Sequence, residues 1–358
     1  MKEIIDENKD FCALIMAGGK GTRFWPKSTE DKPKQFLNLI GNKTMIQETF
    51  DRIKNIIPPE KIFVVTCLKY EHLVKEQLPE LPTDNIIIEP VGRNTAPCIL
   101  LASLYIKQKY TNTNIVVLPS DHIINKNKEF CDILNVANSF LNLNNKGIVT
   151  IGIKPNRPET GYGYIEYSKE NTIVDGRKVI KVNKFVEKPD LEKAKEYLKK
   201  GNYLWNAGMF VFNVNYMLKE LEDKFKEAYN LLKDLPDINS PEYTEKLNQQ
   251  YPNCEAISID YAVMEKSNNI YVIEGDFGWD DIGTWMALQR YIKPDIDSNF
   301  SVGNVITYNS KNNVVYGGNK KIVLLDVDDI FCIEADDVIV IGKKEKMPEV
   351  HTYREKLK

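Results

Sequence analysis

Short apolar runs alternate with helix-like patterns through the first half of the chain, and this alternation limits the fold more than any other feature. Predicted strands cover residues 11–16, 61–66, 85–89, 114–118 and 148–153. Predicted helices lie between them at residues 45–54, 70–77, 95–109 and 130–142. Strands that alternate with helices in this way form a mostly parallel sheet with helices on both faces. The sequence therefore predicts a doubly wound α/β fold.

The character of the chain changes after residue 293. Residues 154–285 mix hairpin-like strands with helices, whereas the later residues contain short β runs separated by Asn, Asp and Gly turns. We predict a large domain over residues 1–293 and a small C-terminal β module over residues 294–358. Turns that recur this often indicate a coil of short strands, such as a left-handed β-helix. The charged tail from residue 343 onwards is expected to fray or to form an interface.

Composition excludes several classes of protein. A net charge of −3 over 358 residues gives no basic field for nucleic acid, and no apolar run is long enough to span a membrane. The polar, acidic N-terminus does not resemble a signal peptide. Six scattered cysteines without a CxxC pair indicate free thiols and a cytoplasmic protein. With only three histidines, we expect any metal to be a hard cation held by carboxylates and phosphate.

A glycine-rich loop follows the first predicted strand. Gly18, Gly19 and Gly21 precede Arg23, and Lys34 comes eleven residues after that arginine. The spacing matches neither the GxxxxGK[ST] phosphate loop nor the GxGxxG dinucleotide loop. An ordinary tight turn would explain the glycines alone. Glycines that let the backbone approach oxygen, followed by two cations, favour a triphosphate-binding loop.

Acidic residues occur at two further places where the predicted fold would expose them. Asp121 follows the fourth predicted strand, and Asp280 and Asp281 lie between two glycines. Each group has an ordinary alternative, because Asp is also a common helix cap and favours the first turn of a helix. Carboxylates at strand ends are suitable ligands for one Mg²⁺ beside a triphosphate.

Polar residues in the middle of the chain are of the types that bind sugars. Glu187 and Lys188 end a predicted strand, where the carboxylate would accept hydrogen bonds from sugar hydroxyls and the ammonium would meet a phosphate. Gly163 lies between two tyrosines, and Asn206 precedes another glycine turn. An exposed ion pair and two turns explain the same residues structurally, so these signals are weak one at a time.

Taken together, these segments resemble a known family, the sugar-1-phosphate nucleotidyltransferases, and within it the mannose-1-phosphate guanylyltransferase branch. The motifs occur in family order over about residues 11–290: AGGKGTRFWP (17–26), KPKQF (32–36), EPVGRNTAP (89–97), PSDH (119–122), GYGYI (161–165), FVEKP (185–189), WNAGMF (205–210) and WDDIG (279–283). The resemblance implies the Rossmann-like mixed sheet of the nucleotide-diphospho-sugar transferases. It also implies the short, monofunctional form, whose β-helical tail helps to pair subunits into a homodimer.

The resemblance also implies roles for individual residues. Arg23 and Lys34 would contact the triphosphate and stabilise charge during transfer, and Asp121 and Asp281 would hold Mg²⁺, with Asp280 supporting them. The nucleotide would be bound by Gly18, Gly19, Gly21, Thr22 and Ser120, with Arg93, Asn94 and Thr95 near the base. Mannose would be held by Gly163, Glu187 and Asn206, and its phosphate by Lys188.

The implied reaction converts GTP and mannose 1-phosphate into GDP-mannose and pyrophosphate. Two alternatives remain at this point. The enzyme could use another hexose 1-phosphate or another nucleotide, since mannose and glucose differ at one hydroxyl. The chain could also be a non-catalytic subunit that senses sugar nucleotides, although such a subunit would be expected to lose Arg23, Lys34 or one of the aspartates, and all are present.

Overall fold

A computed structural model describes residues 10–19 and 21–357, with side chains through residue 354. Residues 1–9, on which the expectation of no signal peptide depends, lie outside this part. None of the helices in the described part has the length and apolarity that crossing a membrane requires.

The described residues form strands and helices in the order that the alternation predicts. The strands are β1 (Asp10–Met16), β2 (Ile62–Cys67), β3 (Ile86–Glu89), β4 (Thr113–Pro119), β5 (Ile123–Ile124), β6 (Ile148–Ile153), β7 (Tyr164–Val174), β8 (Arg177–Val186), β9 (Tyr203–Asn213), β10 (Ile270–Gly275), β11 (Trp279–Asp280), β12 (Phe300–Val302), β13 (Val305–Tyr308), β14 (Val314–Tyr316), β15 (Ile322–Leu325), β16 (Ile330–Glu334) and β17 (Ile339–Lys343). The helices are α1 (Met45–Ile53), α2 (Glu71–Gln77), α3 (Thr95–Lys109), α4 (Asn127–Leu143), α5 (Leu191–Lys200), α6 (Val214–Lys224), α7 (Lys226–Leu232), α8 (Tyr243–Gln250), α9 (Ile259–Ala262) and α10 (Trp285–Leu288).

The chain falls into two compact units, each assembled from separate stretches of sequence. Unit 1 contains the described residues up to Gly18 together with Thr49–Ser120 and Ile124–Trp279. Unit 2 contains the described residues of 19–48, Asp121–Ile123 and the chain from Asp280 onwards. The predicted domain boundary after residue 293 stays a prediction, because these units are divided along different lines.

Unit 1 is built on a nine-stranded mixed sheet with the order β3-β2-β1-β4-β9-β6-β10-β8-β7. The strands β1 to β4 are mutually parallel, as their intervening helices require. The remaining strands include antiparallel pairs, and β9 runs antiparallel to both β4 and β6. The hairpin of β7 and β8 turns at Asp175 and Gly176, both of which have positive φ. Two such residues make the tight turn that suits a hairpin. The strand order and directions confirm the predicted doubly wound mixed sheet.

The core of unit 1 lies where the sheet packs against helices α3, α6, α7 and α9. Leu14 and Val65 of the parallel strands, Phe210 of β9, Ile99 of α3 and Met217 of α6 belong to one buried cluster. Because parallel strands end at one edge of a sheet, β1, β3 and β4 deliver the residues that follow them to the same edge. Those residues are Gly18, Glu89 at the end of β3, and Ser120.

The C-terminal strands of unit 2 form parallel coils, as predicted. Strands β12, β14 and β16 pair in parallel, and so do β13 and β15, while β17 closes the larger sheet antiparallel to β16. The offset between paired strands is 17 residues for Val305 with Ile322 and for Val314 with Phe331, and 14 residues for Phe300 with Val314. Buried Asn313 accepts a hydrogen bond from the Ile330 main chain at 3.0 Å and so links two coils. The left hand of the coil stays a prediction.

The charged tail packs against unit 2 over part of its length, so the expectation of fraying is wrong there, and the alternative of an interface stays a prediction. Residues Lys344–Leu357 form a 3₁₀ segment whose Met347 and Val350 are buried. They belong to the core cluster of unit 2, which also contains Phe24 and Trp285. Apolar residues at two positions of the tail are enough to hold it against the β module, although most of its other side chains are charged or polar.

Candidate active site

Lys34 is the centre of the polar cluster in unit 2. It begins the 3₁₀ turn Lys34–Phe36 and is 2% exposed. Its Nζ donates to Asp121 Oδ2 at 2.9 Å and to the Asp121 main-chain oxygen at 2.9 Å. A third bond reaches the main-chain oxygen of Asp281 at 2.7 Å. The fold thus joins, around one ammonium, residues that lie 87 and 247 positions apart in the sequence.

The surrounding charges keep Asp121 ionised. Burial alone would raise the pKa of this carboxyl, but the nearby positive charges, chiefly Lys34, together outweigh burial, so the pKa lies below its ordinary value. Burial also lowers the pKa of His122, which is neutral at neutral pH. An anionic carboxylate beside a neutral imidazole is the protonation state that a hard cation needs from its ligand.

Arg23 and Asp281 lie on either side of Gly283. A Cβ placed on that glycine would be 3.2 Å from Arg23 Nη1 and 3.8 Å from Asp281 Oδ2. The missing side chain therefore leaves room for the guanidinium and the carboxylate to approach each other. The predicted catalytic residues Arg23 and Lys34 and the predicted metal ligands Asp121 and Asp281 all belong to unit 2.

Asp280 and Asp281 are adjacent, but their surroundings differ. Asp280 Oδ1 accepts from the main chain of Ile282 at 3.0 Å, and its carboxylate also binds Arg290 and the hydroxyl of Tyr291. These bonds commit Asp280 to holding the turn that carries Asp281. The predicted supporting role of Asp280 and the predicted metal binding by Asp281 both stay predictions.

The oxygens around Lys34 already hold a cation, the ammonium of Lys34 itself. One carboxylate and two main-chain carbonyl oxygens converge on the ammonium. Oxygen donors of this kind fit Mg²⁺, which is usually held by one or two carboxylates together with phosphate and water. Within the described ranges, no group of three or more His, Cys, Asp or Glu side chains is arranged to hold a metal. The carboxylates of Asp121 and Asp281 are donors of the type that Mg²⁺ takes, with phosphate as a further ligand.

The glycine loop is held to the same 3₁₀ turn. Gly21 has a φ of +49°, and a Cβ on it would lie 2.6 Å from the Lys34 main-chain nitrogen. The side chain of Gln35 donates to the Gly19 carbonyl oxygen at 2.9 Å. Thr22 begins the 3₁₀ turn Thr22–Phe24 that carries Arg23. Only glycine meets both requirements at position 21, the left-handed backbone and the close approach.

In unit 1, the predicted mannose residues gather beside Gly163. A Cβ on this glycine would lie 2.6 Å from Glu187 Oε2 and 3.4 Å from the Asn206 Cβ. The Asn206 main chain donates to the Gly163 carbonyl at 2.8 Å. Lys188 forms an ion pair with Glu187. The structure therefore brings together the four residues that the resemblance assigned to the sugar and its phosphate.

The loop predicted to lie near the base is fastened to a distant part of unit 1. Arg93 donates to the Pro252 carbonyl, and Thr95 Oγ1 accepts from the Ile259 main chain at 2.8 Å. Asn94, with a φ of 68°, caps helix α3 through a bond from the Thr95 main chain. Ser120 Oγ donates to the Met16 carbonyl at 2.7 Å and so ties β4 to β1. These bonds explain the local structure, and the nucleotide-binding roles of these residues stay predictions.

Two carboxyl groups, buried Glu89 and half-buried Asp260, were not anticipated from the sequence. Glu89 accepts a hydrogen bond from the Tyr251 hydroxyl and lies against Gly18, and burial raises its pKa to about 7. Asp260 accepts from Asn206 Nδ2 at 3.1 Å, and burial raises its pKa to about 6, with a further contribution from Glu187. Glu89 lies within a motif quoted for the resemblance, whereas no pattern around Asp260 indicates its position.

The comparisons with known proteins agree with this arrangement. A family model described as Nucleotidyl transferase matches residues 12–297. The chain is 36% identical over 346 residues to the mannose-1-phosphate guanylyltransferase of Escherichia coli, covering 94% of this chain and 73% of the relative. It is 38% identical over 351 residues to the protein of the same name from Klebsiella pneumoniae, covering 96% and 73% respectively.

A solved structure supports the same conclusion. A structure from Thermus thermophilus, described as a mannose-1-phosphate geranyltransferase, matches with a TM-score of 0.84 at 31% identity, covering 97% of this chain and 99% of that chain. The chain therefore belongs to the nucleotidyl transferase family of enzymes. Within that family it is similar to mannose-1-phosphate guanylyltransferases, which confirms the resemblance that the motifs predict.

Proposed function

We propose that this enzyme transfers GMP from GTP to mannose 1-phosphate, with release of GDP-mannose and pyrophosphate. The observation that carries the proposal is the buried Lys34 ammonium, held between Asp121 and the main chain of Asp281. The ammonium of Lys34, with the Asp121 carboxylate and Arg23 close to it, suits a reaction in which charge moves between phosphates. The names of the relatives support the choice of mannose 1-phosphate and a guanylyl group.

The chemistry requires no protein nucleophile. An oxygen of the sugar phosphate, already an anion, attacks the α-phosphorus of GTP in line with the departing group. A new phosphorus–oxygen bond forms as the bond between the α-phosphorus and the bridging oxygen breaks, and pyrophosphate leaves with the electron pair. Catalysis then depends on positioning the two phosphates and on neutralising their charge.

The side chains have distinct roles in this proposal. Arg23 binds the triphosphate oxygens, and Lys34, whose three ammonium N–H groups are taken by Asp121 and Asp281, adds the positive charge that stabilises the departing pyrophosphate. Asp121 and Asp281 would hold Mg²⁺, which when bound supplies positive charge to the reacting phosphates. Glu187 and Asn206 hold the hexose hydroxyls beside Gly163, and Lys188 binds the phosphate of the sugar.

A pyrophosphate-release assay tests the proposal and separates its alternatives. The enzyme is supplied with GTP and mannose 1-phosphate, then with ATP or UTP, and then with glucose 1-phosphate. The proposal predicts the highest kcat/KM for GTP with mannose 1-phosphate and loss of turnover in excess EDTA, with recovery on adding Mg²⁺. A preference for another pair would indicate a related transferase, and binding without turnover would indicate a sensor.

We also propose that the chain forms a homodimer through its β module. Ile306 and Tyr308 of β13 lie beside Val323 and Leu325 of β15, and all four side chains are exposed. An exposed apolar patch of this kind is typical of an interface between proteins. Light scattering of the purified protein measures the assembly directly, and Tyr308→Glu is expected to favour the monomer. A cytoplasmic location stays a prediction of the sequence.

A further inference from the structure

Asp260 is held in a defined orientation by a side chain that already belongs to the proposed sugar site. Asn206 Oδ1 accepts from Thr150 Oγ1 at 3.2 Å and from the Gly208 main chain at 3.0 Å. With its oxygen engaged twice, the amide of Asn206 presents its Nδ2 to Asp260 Oδ1 at 3.1 Å. One oxygen of the Asp260 carboxylate is therefore held by Asn206.

The same segment also positions Glu187. Asp260 lies on the short helix α9, and Glu265 follows it in the 3₁₀ turn Met264–Lys266. Glu265 Oε1 accepts from the main-chain nitrogen of Glu187 at 3.0 Å. One stretch of nine residues, 258–266, thus carries Asp260 and anchors the strand end that bears Glu187 and Lys188. The positions of the Asp260 and Glu187 carboxyl groups therefore depend on the same segment, which holds the Glu187 main chain through Glu265.

Glu187, Asp260 and Lys188 bring two carboxyl groups together with one ammonium. Glu187 and Asp260 are two carboxyl groups that repel each other, and Lys188 is the cation that acts on both. Burial and the Glu187 charge raise the pKa of Asp260 to about 6, although Lys188 and the Asn206 amide oppose the increase. A ligand that supplies hydroxyl donors would stabilise the ionised pair without bringing charge of its own. The ring hydroxyls of a hexose are donors of this kind.

We propose that Asp260 is a further sugar-binding residue, which accepts a hydrogen bond from a ring hydroxyl of the hexose 1-phosphate and so helps to select the sugar. The proposal deepens the proposed function and rests on it. It follows from the position of Asp260 against Asn206 and beside Glu187, two of the residues that surround Gly163. Carboxylates that read hydroxyls in a buried site discriminate strongly against ligands that lack the donor.

The test combines one variant with a series of altered sugars. Asp260→Asn keeps the size of the side chain and an oxygen for the Asn206 amide, but it removes the charge. With mannose 1-phosphate, we expect the KM for the sugar to rise ~10-fold or more, while the KM for GTP stays unchanged. The 2-, 3-, 4- and 6-deoxy derivatives are then compared in both proteins. The hydroxyl that Asp260 binds is the one whose removal raises the sugar KM of the unchanged protein but raises the sugar KM of D260N little further.

Two controls separate sugar reading from a structural role. Asp276→Asn alters an exposed aspartate whose partner is Lys126, and it should leave every KM unchanged. Asp260→Ser removes the charge and shortens the side chain, so it should raise the sugar KM at least as much as D260N, with thermal unfolding measured for each variant. The proposal is overturned if the folded variants have an unchanged sugar KM. It is also overturned if each deoxy derivative raises the sugar KM by the same factor in the variants as in the unchanged protein.

The failure of the proposed function would have a different appearance. In that case the unchanged protein would not release pyrophosphate from GTP and mannose 1-phosphate, whatever the state of residue 260. If it used glucose 1-phosphate instead, the deoxyglucose 1-phosphates would replace the mannose series. Equal increases in the sugar KM in D260N and in the unchanged protein would also overturn the role of Asp260 with this substrate. An increase confined to the unchanged protein would support that role.

Discussion

At the scale of single residues, backbone strain lies beside the predicted site. Lys188 and Ile282 have φ values of 42° and 38°, and neither is a residue type that adopts the left-handed region easily. Such a conformation costs about 1–2 kcal/mol and persists only where the surroundings enforce it. Ile282 is fully buried and donates its main-chain N–H to Asp280. The strained turn therefore fixes the direction of the neighbouring Asp281.

The adjacent aspartates should respond differently to the same substitution. Asp281→Asn removes a charge from the proposed metal site, and we expect kcat to fall by ~10²-fold or more without loss of stability. Asp280→Asn removes the charge that binds Arg290 and Tyr291, so thermal unfolding should occur at a lower temperature, with a smaller loss of kcat. Near-normal turnover in D281N would contradict the metal-binding role, and D276N serves as the control.

Glu89 makes the stability of the protein depend on pH. Burial raises its pKa from 4.5 to about 7, so between these values the folded state binds more protons than the unfolded state. The free energy of unfolding should therefore fall as the pH rises from 4.5 to 7, by about 3 kcal/mol from this group alone.

Glu89→Gln tests that dependence because the amide keeps an acceptor for the Tyr251 hydroxyl but does not titrate. Urea unfolding of the variant and of the unchanged protein at pH 5 and pH 8 gives the difference between their free energies of unfolding. The variant should gain stability relative to the unchanged protein at pH 8 and gain little at pH 5. An equal difference at both values would show that Glu89 titrates normally in the folded state.

At the scale of elements, the glycine loop and the turn Lys34–Phe36 act as one structure. The loop could not be understood from its own residues alone, because the neighbour that requires Gly21 is the Lys34 main chain. Gly19 differs from it, since a Cβ there would meet nothing within 4 Å. The sequence pattern does not distinguish Gly19 from Gly21, but in the structure only Gly21 of these two has a neighbour that a side chain would meet.

Alanine substitutions should expose this difference. Gly21→Ala places a side chain on left-handed backbone and against the Lys34 nitrogen, so we expect a loss of at least about 1–3 kcal/mol in the free energy of unfolding. Gly19→Ala is the matched control, and its stability should stay within about 0.5 kcal/mol of the unchanged protein. Thermal and urea unfolding measure both. Equal stabilities of the two variants would show that the loop moves independently of the turn.

At the scale of the whole molecule, the residues after the glycine loop belong to the same core as the C-terminal strands. Phe24 packs edge-to-face on Trp285 with ring centroids 5.2 Å apart, and Trp285 Nε1 donates to the Trp25 carbonyl at 2.9 Å. Tyr316 of β14 packs on the same tryptophan with ring centroids 4.7 Å apart. The β module therefore supports the segment that carries Arg23, although no catalytic role was assigned to it.

Shortening the chain should test this support. A protein ending at residue 297 keeps the whole span of the family match but loses Tyr316, Phe331 and Met347 from the core of unit 2. We expect loss of at least ~10²-fold in turnover, since Arg23 would no longer be held in place, while circular dichroism still shows the sheet and helices of unit 1. Full activity in the shortened protein would contradict the supporting role of the module.

The sequence by itself determined the alternation of β1 to β4 with helices and the identity of most polar residues in the site. Apolar periodicity and glycine chemistry are local, so they can be read from neighbouring residues. The same local reading was incomplete for the tail from residue 343, where charge suggested fraying or an interface and the burial of Met347 and Val350 contradicts the fraying.

Tertiary structure alone decided which of these residues meet. Lys34 reaches Asp121 and Asp281, and Asp260 reaches Asn206, over separations of 54 to 247 residues that no local pattern records. The antiparallel course of β9 and the burial of Glu89 likewise depend on packing. The reason is physical: a pKa, a steric requirement for glycine and a cation position arise from atoms brought together in space, and the sequence specifies them only through the whole fold.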